Sequence, residues 1–355
     1  SRGAVSTATQ ITPEIHLHIP ILSSNMDTVT EAAMAIAMAR AGGMGIIHRF
    51  LSIERQVAEV LRVKRAESFR IDDPVTVHPD STLKQAIQVM KESDCSGLIV
   101  VDEQAQLVGI LTNRDLDLAE DLSGLVRDLM TPRSKLVTGD PSISPDEARR
   151  LLHQHRIEKL PLIDSSEKLV GLITARDILK GRLHPNASKD LRGRLRVGAA
   201  LGVRADDLDR AEKLLAVGCD LLVVDIAHGH SNLAMDMVRS LAKRFDGVQI
   251  MAGNVVTPEG VADLAKAGAH SIKVGVGSGS ICTTRLVAGS GYPQLSALLD
   301  CAPAAREHGV TLVSDGGTRT SGDLTKAMAA GAHCAMLGSL LAGTKIGRAS
   351  CRERV

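Results

Sequence analysis

Residues Ser271 to Arg285 read SIKVGVGSGSICTTR. A short apolar strand, Ser271 to Val276, runs into a loop of glycine and serine that leads to Cys282, Thr283 and Thr284. Gly275, Gly277 and Gly279 carry no Cβ, so the backbone there can take positive φ and approach a ligand closely. The loop amides and the Ser280 hydroxyl suit a phosphate, and Cys282 places a nucleophile beside them. A strand that ends in such a loop is the unit of a parallel α/β sheet, where sites form at the carboxyl ends of strands. A single cysteine is more often a small core residue, so the reading depends on what the rest of the chain supplies.

Seven further apolar runs alternate with amphipathic helical stretches. They are Ile19 to Ser23, Met44 to Ile47, Arg196 to Ala200, Leu221 to Ile226, Val248 to Ala252, Thr311 to Ser314 and Cys334 to Leu337. Segments such as Asp207 to Ala216, Pro258 to Ala267 and Gly322 to Ala330 lie between them as helices. Gly42, Gly218, Gly268 and Gly331 fall where helices end, a position that favours glycine. Eight such units predict an α/β protein, a (β/α)8 TIM barrel. A doubly wound open sheet is the second choice, disfavoured by the lack of G-x-G-x-x-G after the first strand.

The chain has 355 residues, which suits a barrel with an insertion. A net charge of +1 gives no basic field for nucleic acid. No apolar run reaches the length of about 18 residues that a membrane span needs, and the start lacks a signal-peptide pattern. Hydrophobic residues make up 44% and aromatics only 1%, so the core is built from Val, Ile, Leu, Ala and Met. Six cysteines, Cys95, Cys219, Cys282, Cys301, Cys334 and Cys351, form no C-x-x-C pair. That usage points to a reducing, cytoplasmic setting.

Residues Asp72 to Lys180 break the rhythm with an internal duplication. Val75-Thr76 recurs as Val137-Thr138, Pro79 as Pro141, and LVGILTNRDL (Leu107 to Leu116) as LVGLITARDI (Leu169 to Ile178), all at an offset of 62 residues. The insertion follows a helix, Ser52 to Arg65, and precedes the strand at Arg196. It therefore belongs at the amino-terminal end of the barrel, away from the end where chemistry is expected.

The loop GSGSICTTR, Gly277 to Arg285, resembles the cysteine loop of the IMP dehydrogenase and GMP reductase family, and similar segments run from about Ile19 to Thr344. The duplicated halves resemble a tandem pair of cystathionine-β-synthase-type (CBS) domains. The resemblance implies a first part of the barrel over 1–70, CBS domains over 71–182 (about 71–132 and 133–182) and a second part of the barrel over 183–345. It implies that Cys282 adds to carbon 2 of the purine of IMP, that hydride passes to NAD, and that water releases XMP from a thioimidate with help from Thr284. Ser24 and Met26, in SSNMDTVTE after strand one, match contacts to the nucleotide. Asp315, in SDGGT after strand seven, is placed for ribose hydroxyls. Ser280, Gly317, Gly338 and Ser339 are placed for the 5′-phosphate, since barrels commonly bind phosphate after strands seven and eight. Asp225 in VVDIAHGH, Asn254 in AGNVVT, Lys273 and Gly275 match the cofactor side. Main-chain carbonyls of Gly277, Gly279 and Cys282 match a potassium site. The Thr-x-Arg-Asp turns, with Thr112 and Asp115 and then Thr174 and Asp177, match sites for adenine or guanine nucleotides. The family's usual assembly implies a homotetramer, with octamers formed through CBS domains. His228 and His230 form an H-x-H, but no third ligand has diagnostic spacing for a metal.

Within the family, IMP dehydrogenase is favoured by GGMGIIHR (Gly42 to Arg49), by SKDLRGRLRVGAALG (Ser188 to Gly202) and by the CBS pair. Asn25 and GYPQLSA (Gly291 to Ala297) lean toward GMP reductase, which reduces GMP with NADPH. A catalytically idle nucleotide sensor is disfavoured by Cys282, Thr284 and Asp315 occurring together. The last ten residues, IGRASCRERV (Ile346 to Val355), leave the pattern and read as a non-native tail. The polar opening, Ser1 to Thr9, reads as a loop inside a longer protein. On this reading the final barrel helix and a mobile flap after strand eight are missing, and the polypeptide does not complete turnover.

Overall fold

A computed structural model describes residues 5–67, 69–93, 95–117, 119 and 122–347, without the side chains of 180–182. The tail expected over 346–355 lies outside the described residues from 348 onward, as does Cys351. The chain divides into two compact units, Ser1–Glu67 with His184–Val355, and Ser68–Leu183. No helix among the described residues is long and apolar enough to cross a membrane.

The first unit is built on eight parallel strands closed into a barrel. They are β1 (Ile21–Ser23), β2 (Met44–Ile47), β3 (Val197–Leu201), β4 (Leu221–Asp225), β5 (Ile250–Val255), β6 (Ser271–Val274), β7 (Thr311–Asp315) and β8 (Cys334–Leu337). The ring closes where Ala335 of β8 lies opposite Ile21 of β1. Seven helices cover it: α1 (Ala32–Arg40), α2 (Ile53–Ala66), α3 (Asp206–Ala216), α4 (Asn232–Arg244), α5 (Pro258–Ala267), α6 (Gln294–His308) and α7 (Ser321–Ala329). This is the expected (β/α)8 barrel.

Side chains alternate between two layers because a strand has period two. Leu22, Met44, Ile46, Ala200, Leu221, Val223, Met251, Val313, Cys334 and Met336 form one buried cluster inside the ring. Ile47, Ala199, Leu222, Val224, Ile250, Ala252, Ile272, Val274 and Leu312 belong to the larger cluster between strands and helices. Both faces are therefore apolar, and the strands read as continuous hydrophobic runs. Ile11, Ile15 and Leu17 join the inner cluster from a hairpin, Thr9–Thr12 with Ile15–Leu17. The Thr311 hydroxyl fixes that hairpin by donating to the Ile11 carbonyl at 2.6 Å.

Several boundaries differ from the sequence reading. The strand expected over 248–252 is β5, Ile250–Val255, so Asn254 lies within the strand. Val248 is apolar because it packs against the helices, not because it pairs in the ladder. The strand expected to reach Val276 ends at Val274, because the chain turns at Gly275 with φ +146. A Cβ at Gly275 would lie 2.1 Å from the Asp315 carbonyl oxygen. The polar opening read as a loop up to Thr9 leads into the hairpin, whose strands are too short to show a period.

The second unit holds two similar halves. One has a sheet of Thr76–Val77, Gly97–Val101, Leu107–Thr112 and Thr131–Pro132 with the helix Leu83–Glu92. The other pairs Lys159–Ile163 with Leu169–Thr174 beside the helix Pro145–His155. Ile99, Leu107, Ile110 and Leu172 pack together, so residues of both halves share one small core.

β2 pairs directly with β3, Val197 opposite Gly45, although the second unit separates them in sequence. Nearby, Lys64 of α2 is only 2% exposed, and its ammonium donates to Asp220 at 2.6 Å and Asp190 at 3.1 Å. Asp220 also accepts from the Val197 amide at 2.8 Å, where β3 begins. Lys64→Met removes the buried cation that joins the two carboxylates, leaving Arg194 on Asp190 and Arg196 at 3.9 Å from Asp220, and is expected to lower stability by about 3–5 kcal/mol in denaturant titrations. A loss under about 1 kcal/mol would contradict this role. Glu67 and His184, where the chain leaves and re-enters this unit, approach to 3.8 Å. Replacing 68–183 by a short glycine linker is therefore expected to keep cooperative unfolding and barrel circular dichroism; loss of both would show that the barrel needs the insertion.

Candidate active site

The carboxyl ends of the strands surround a cavity of about 900 Å³. Ser24 and Met26 line it from the loop after β1, Gly279 and Ser280 from the loop after β6, Asp315 and Gly317 from the end of β7, and Gly338 and Ser339 from the end of β8. These expected nucleotide-site residues therefore share one space. The Ser280 and Ser339 hydroxyls lie 3.2 Å apart, which brings the β6 and β8 loops together. A Cβ on Gly338 would lie 3.1 Å from both the Met26 sulfur and the Ser24 hydroxyl, so glycine lets those side chains close in. The Ser24 hydroxyl is buried and has no hydrogen-bond partner among the described residues. It is a polar group left for a ligand.

Cys282 is half-buried and lies in the same loop, although it does not line the cavity wall. Its sulfur is 3.2 Å from the Thr284 hydroxyl. That hydrogen bond pulls the thiol pKa below its ordinary value; partial burial opposes it, and the Gly277 backbone and the Arg285 charge add to it. The loop is held on β7: the Ser278 hydroxyl donates to the Asp315 carbonyl at 3.1 Å. Gly316, φ +89, leaves room for this contact, since a Cβ there would meet the Ser278 hydroxyl at 2.6 Å.

Beneath the loops lies a chain of polar contacts across the barrel. Lys273 of β6 is 1% exposed. Its ammonium donates to Asp225 at 2.5 Å and to Asp315 at 2.9 Å. The Asn25 amide donates to the second Asp225 oxygen at 2.8 Å. The Asn254 amide donates to Asp315 at 3.0 Å and to the Gly275 carbonyl at 2.7 Å. Burial works against the charge on Lys273, but Asp225 and Asp315 outweigh it and raise the ammonium's pKa. Burial also works against the Asp225 carboxylate, yet Lys273 and then Asn25 hold its pKa below the usual carboxylate value.

The residues expected on the cofactor side, Asp225, Asn254, Lys273 and Gly275, thus form one connected group. Asn254 Oδ1 is buried without a partner among the described residues. It is an acceptor that a carboxamide donor such as that of nicotinamide would satisfy, so the group fits a dinucleotide. Of the three carbonyls expected at a potassium site, that of Gly279 accepts from the Cys282 amide at 3.1 Å and keeps a second lone pair. His230 of the H-x-H pairs with Asp263 at 2.9 Å.

Sequence reading missed Gln294 and the role of Asn25. Gln294 opens α6 and donates to the Val274 carbonyl at 2.7 Å and the Ser314 hydroxyl at 3.1 Å, tying the ends of β6 and β7. Its place after Pro293, at the start of a helix next to the loop, was the available signal. In the second unit, the Thr112 hydroxyl donates to Asp115 at 2.6 Å and that of Thr174 to Asp177 at 2.5 Å. Each pair lines a cavity, of about 420 Å³ and 910 Å³ respectively.

Residues 1–351 match the IMP dehydrogenase / GMP reductase domain family. The inosine-5'-monophosphate dehydrogenase of Nitrosopumilus maritimus (strain SCM1) is 52% identical over 344 residues, 97% of this chain and 72% of that protein. The GMP reductase of Leishmania donovani is 50% identical over 353 residues, 97% of this chain and 72% of that protein. A crystal structure of GMP reductase from Trypanosoma brucei in complex with guanosine 5'-triphosphate has a TM-score of 0.87 and 47% identity, over 98% of this chain and 84% of that one. Placed on a barrel whose cysteine loop meets the ends of β7 and β8, these likenesses show that the chain belongs to the IMP dehydrogenase / GMP reductase family and is an oxidoreductase.

Proposed function

We propose that the chain oxidises IMP to XMP as an IMP dehydrogenase. The observation that carries the reading is the meeting of the Cys282 loop with Asp315, Ser24 and Ser339 around one cavity. Asp315 takes ribose hydroxyls, and Ser280, Ser339 and the amides of Gly317 and Gly338 take the phosphate. With the nucleotide gripped at its far end, the base is presented to Cys282, and proximity lowers the barrier. The Cys282 thiolate forms a bond to carbon 2 of the purine. Asp225 and Asn254 would hold NAD, which would supply the acceptor for the hydride that leaves this carbon. Water then adds to carbon 2, the carbon–sulfur bond breaks, and the thiolate is restored; Thr284, 3.2 Å from the sulfur, is placed to hold that water or take its proton.

GMP reductase is the second reading, favoured by Asn25 on Asp225 and by Tyr292 in the segment before α6. In the second unit, the Thr112–Asp115 and Thr174–Asp177 turns support a CBS pair that binds adenine or guanine nucleotides. Leu286, Val287 and Leu299 are large, apolar and exposed, which supports burial against further copies in a homotetramer.

With IMP and NAD, the expected result is NADH equal to at least one equivalent of enzyme and a Cys282 adduct by intact-mass spectrometry. Cys282→Ala is expected to lower this by about 10³-fold or more. Oxidation of NADPH with GMP, and no NADH from IMP, would establish the reductase instead. Because the Cys282 pKa is lowered, its thiolate forms at lower pH than for an ordinary thiol of about 8.5. Adduct formation should therefore rise with pH along a curve displaced to lower pH than that of an ordinary thiol. Burial pushes the Cys219 and Cys301 thiols up to about 12 and raises Cys334 as well. Limited iodoacetamide near neutral pH should therefore label Cys282 ahead of those three in peptide mass spectra; the reverse order would exclude an activated thiol.

A further inference from the structure

Lys273 resembles a cofactor ligand by its position in the sequence, but its surroundings give it a different task. At 1% exposure its ammonium is out of reach of a ligand in the cavity. Its partners belong to two sides of the site. Asp315 lines the nucleotide cavity, whereas Asp225 does not. One ammonium bonds both, at 2.9 Å and 2.5 Å. Charge-assisted bonds of this kind are short and directional, so they fix the rotamer of each carboxylate. At Asp315 the bonds from Lys273 and Asn254 both go to Oδ2. Among the described residues no bond is made to Asp315 Oδ1, which is left for a ligand hydroxyl.

We infer that Lys273 is a positioning residue that aims the nucleotide-side carboxylate, Asp315, and the cofactor-side carboxylate, Asp225, at the same time, without touching either ligand. The inference rests on the proposed assignment of those two carboxylates to the riboses of IMP and NAD. A single cation shared by two anions makes the two binding sites depend on one residue. Losing it frees both carboxylates to rotate and leaves them repelling one another inside the barrel. A residue that contacted only the cofactor would damage only cofactor binding.

The test measures binding rather than turnover. In a Cys282→Ala background, which prevents chemistry, calorimetry gives the affinity for IMP and for NAD separately. Lys273→Met is expected to weaken both by about tenfold or more, while Asp225→Asn weakens NAD alone and Asp315→Asn weakens IMP alone. Should Lys273→Met not fold, the double variant Lys273→Met/Asp225→Asn removes the excess negative charge. It is expected to unfold at higher temperature than Lys273→Met and still to bind IMP about tenfold more weakly than the parent. Loss of NAD affinity alone in Lys273→Met, or parent-like IMP affinity in the double variant, overturns the inference. A parent that binds no IMP defeats the IMP assignment instead; the tie is then judged by unfolding, and a double variant no more stable than Lys273→Met would refute it.

Discussion

A positive charge held inside the barrel, away from water, organises the mouth of this protein. Desolvating an ammonium is costly, and a buried one persists only when anions and hydrogen bonds surround it. Lys273 meets that condition with Asp225 and Asp315, and Asn25 and Asn254 then engage those carboxylates in turn. The group reaches from β4, β5, β6 and β7 to the loop after β1. The geometry of the strand ends therefore depends on it. So does the cysteine loop, because Ser278 is anchored on the Asp315 backbone. The loop that carries Cys282 is thereby tied to the same group of contacts.

The architecture was legible because strands buried on both faces are apolar throughout, and eight such runs separated by helices leave few alternatives. Asp315 at the end of β7, and Ser280, Gly317, Gly338 and Ser339 in the segments after β6, β7 and β8, could be read together because a parallel barrel gathers the carboxyl ends of its strands on one side. The hairpin was not, since three or four residues per strand give no period to detect. The buried state of Lys273 was present in the sequence but unread. Ile272 and Val274 face the helices, so the residue between them must face the interior. The same alternation that places Val223 and Val313 inside places Asp225 and Asp315 inside, one step further along β4 and β7. Gln294 and Asn25 were harder to read, because their partners lie on strands distant in sequence.

The second unit shows a different limit. Its duplication was plain from the repeated LVG segments, and the two Thr-Asp pairs form in both halves. One oxygen of each aspartate accepts from its own threonine, as in any helix-start turn. The motif is thus both a local fold signal and a candidate nucleotide contact, and sequence alone does not separate the two. The cavities beside these turns are what give the second meaning physical content.

The barrel buries a lysine between two carboxylates at each of its ends, and the two groups differ in what the carboxylates have left over. At the amino-terminal end, Asp190 accepts from Lys64, from the Arg192 and Arg194 amides and from the Arg194 guanidinium. Asp220 accepts from Lys64 and the Val197 amide. At Asp190 the chain itself consumes that acceptor capacity, while both bonds to Asp220 go to Oδ2 and its Oδ1 faces Arg196 at 3.9 Å, so the group is a structural joint between α2, β3 and the start of β4. At the carboxyl-terminal end, among the described residues, Asp315 spends one oxygen on Lys273 and Asn254 and keeps the other, while the Ser24 hydroxyl and Asn254 Oδ1 are buried without partners. An ion group whose bonds are all internal can only stabilise. One with acceptors left over, at the mouth of a cavity, is held at a cost in stability that a ligand relieves. The same device therefore serves as a joint at the amino-terminal end of the barrel and leaves acceptor capacity beside the cavity at the other end.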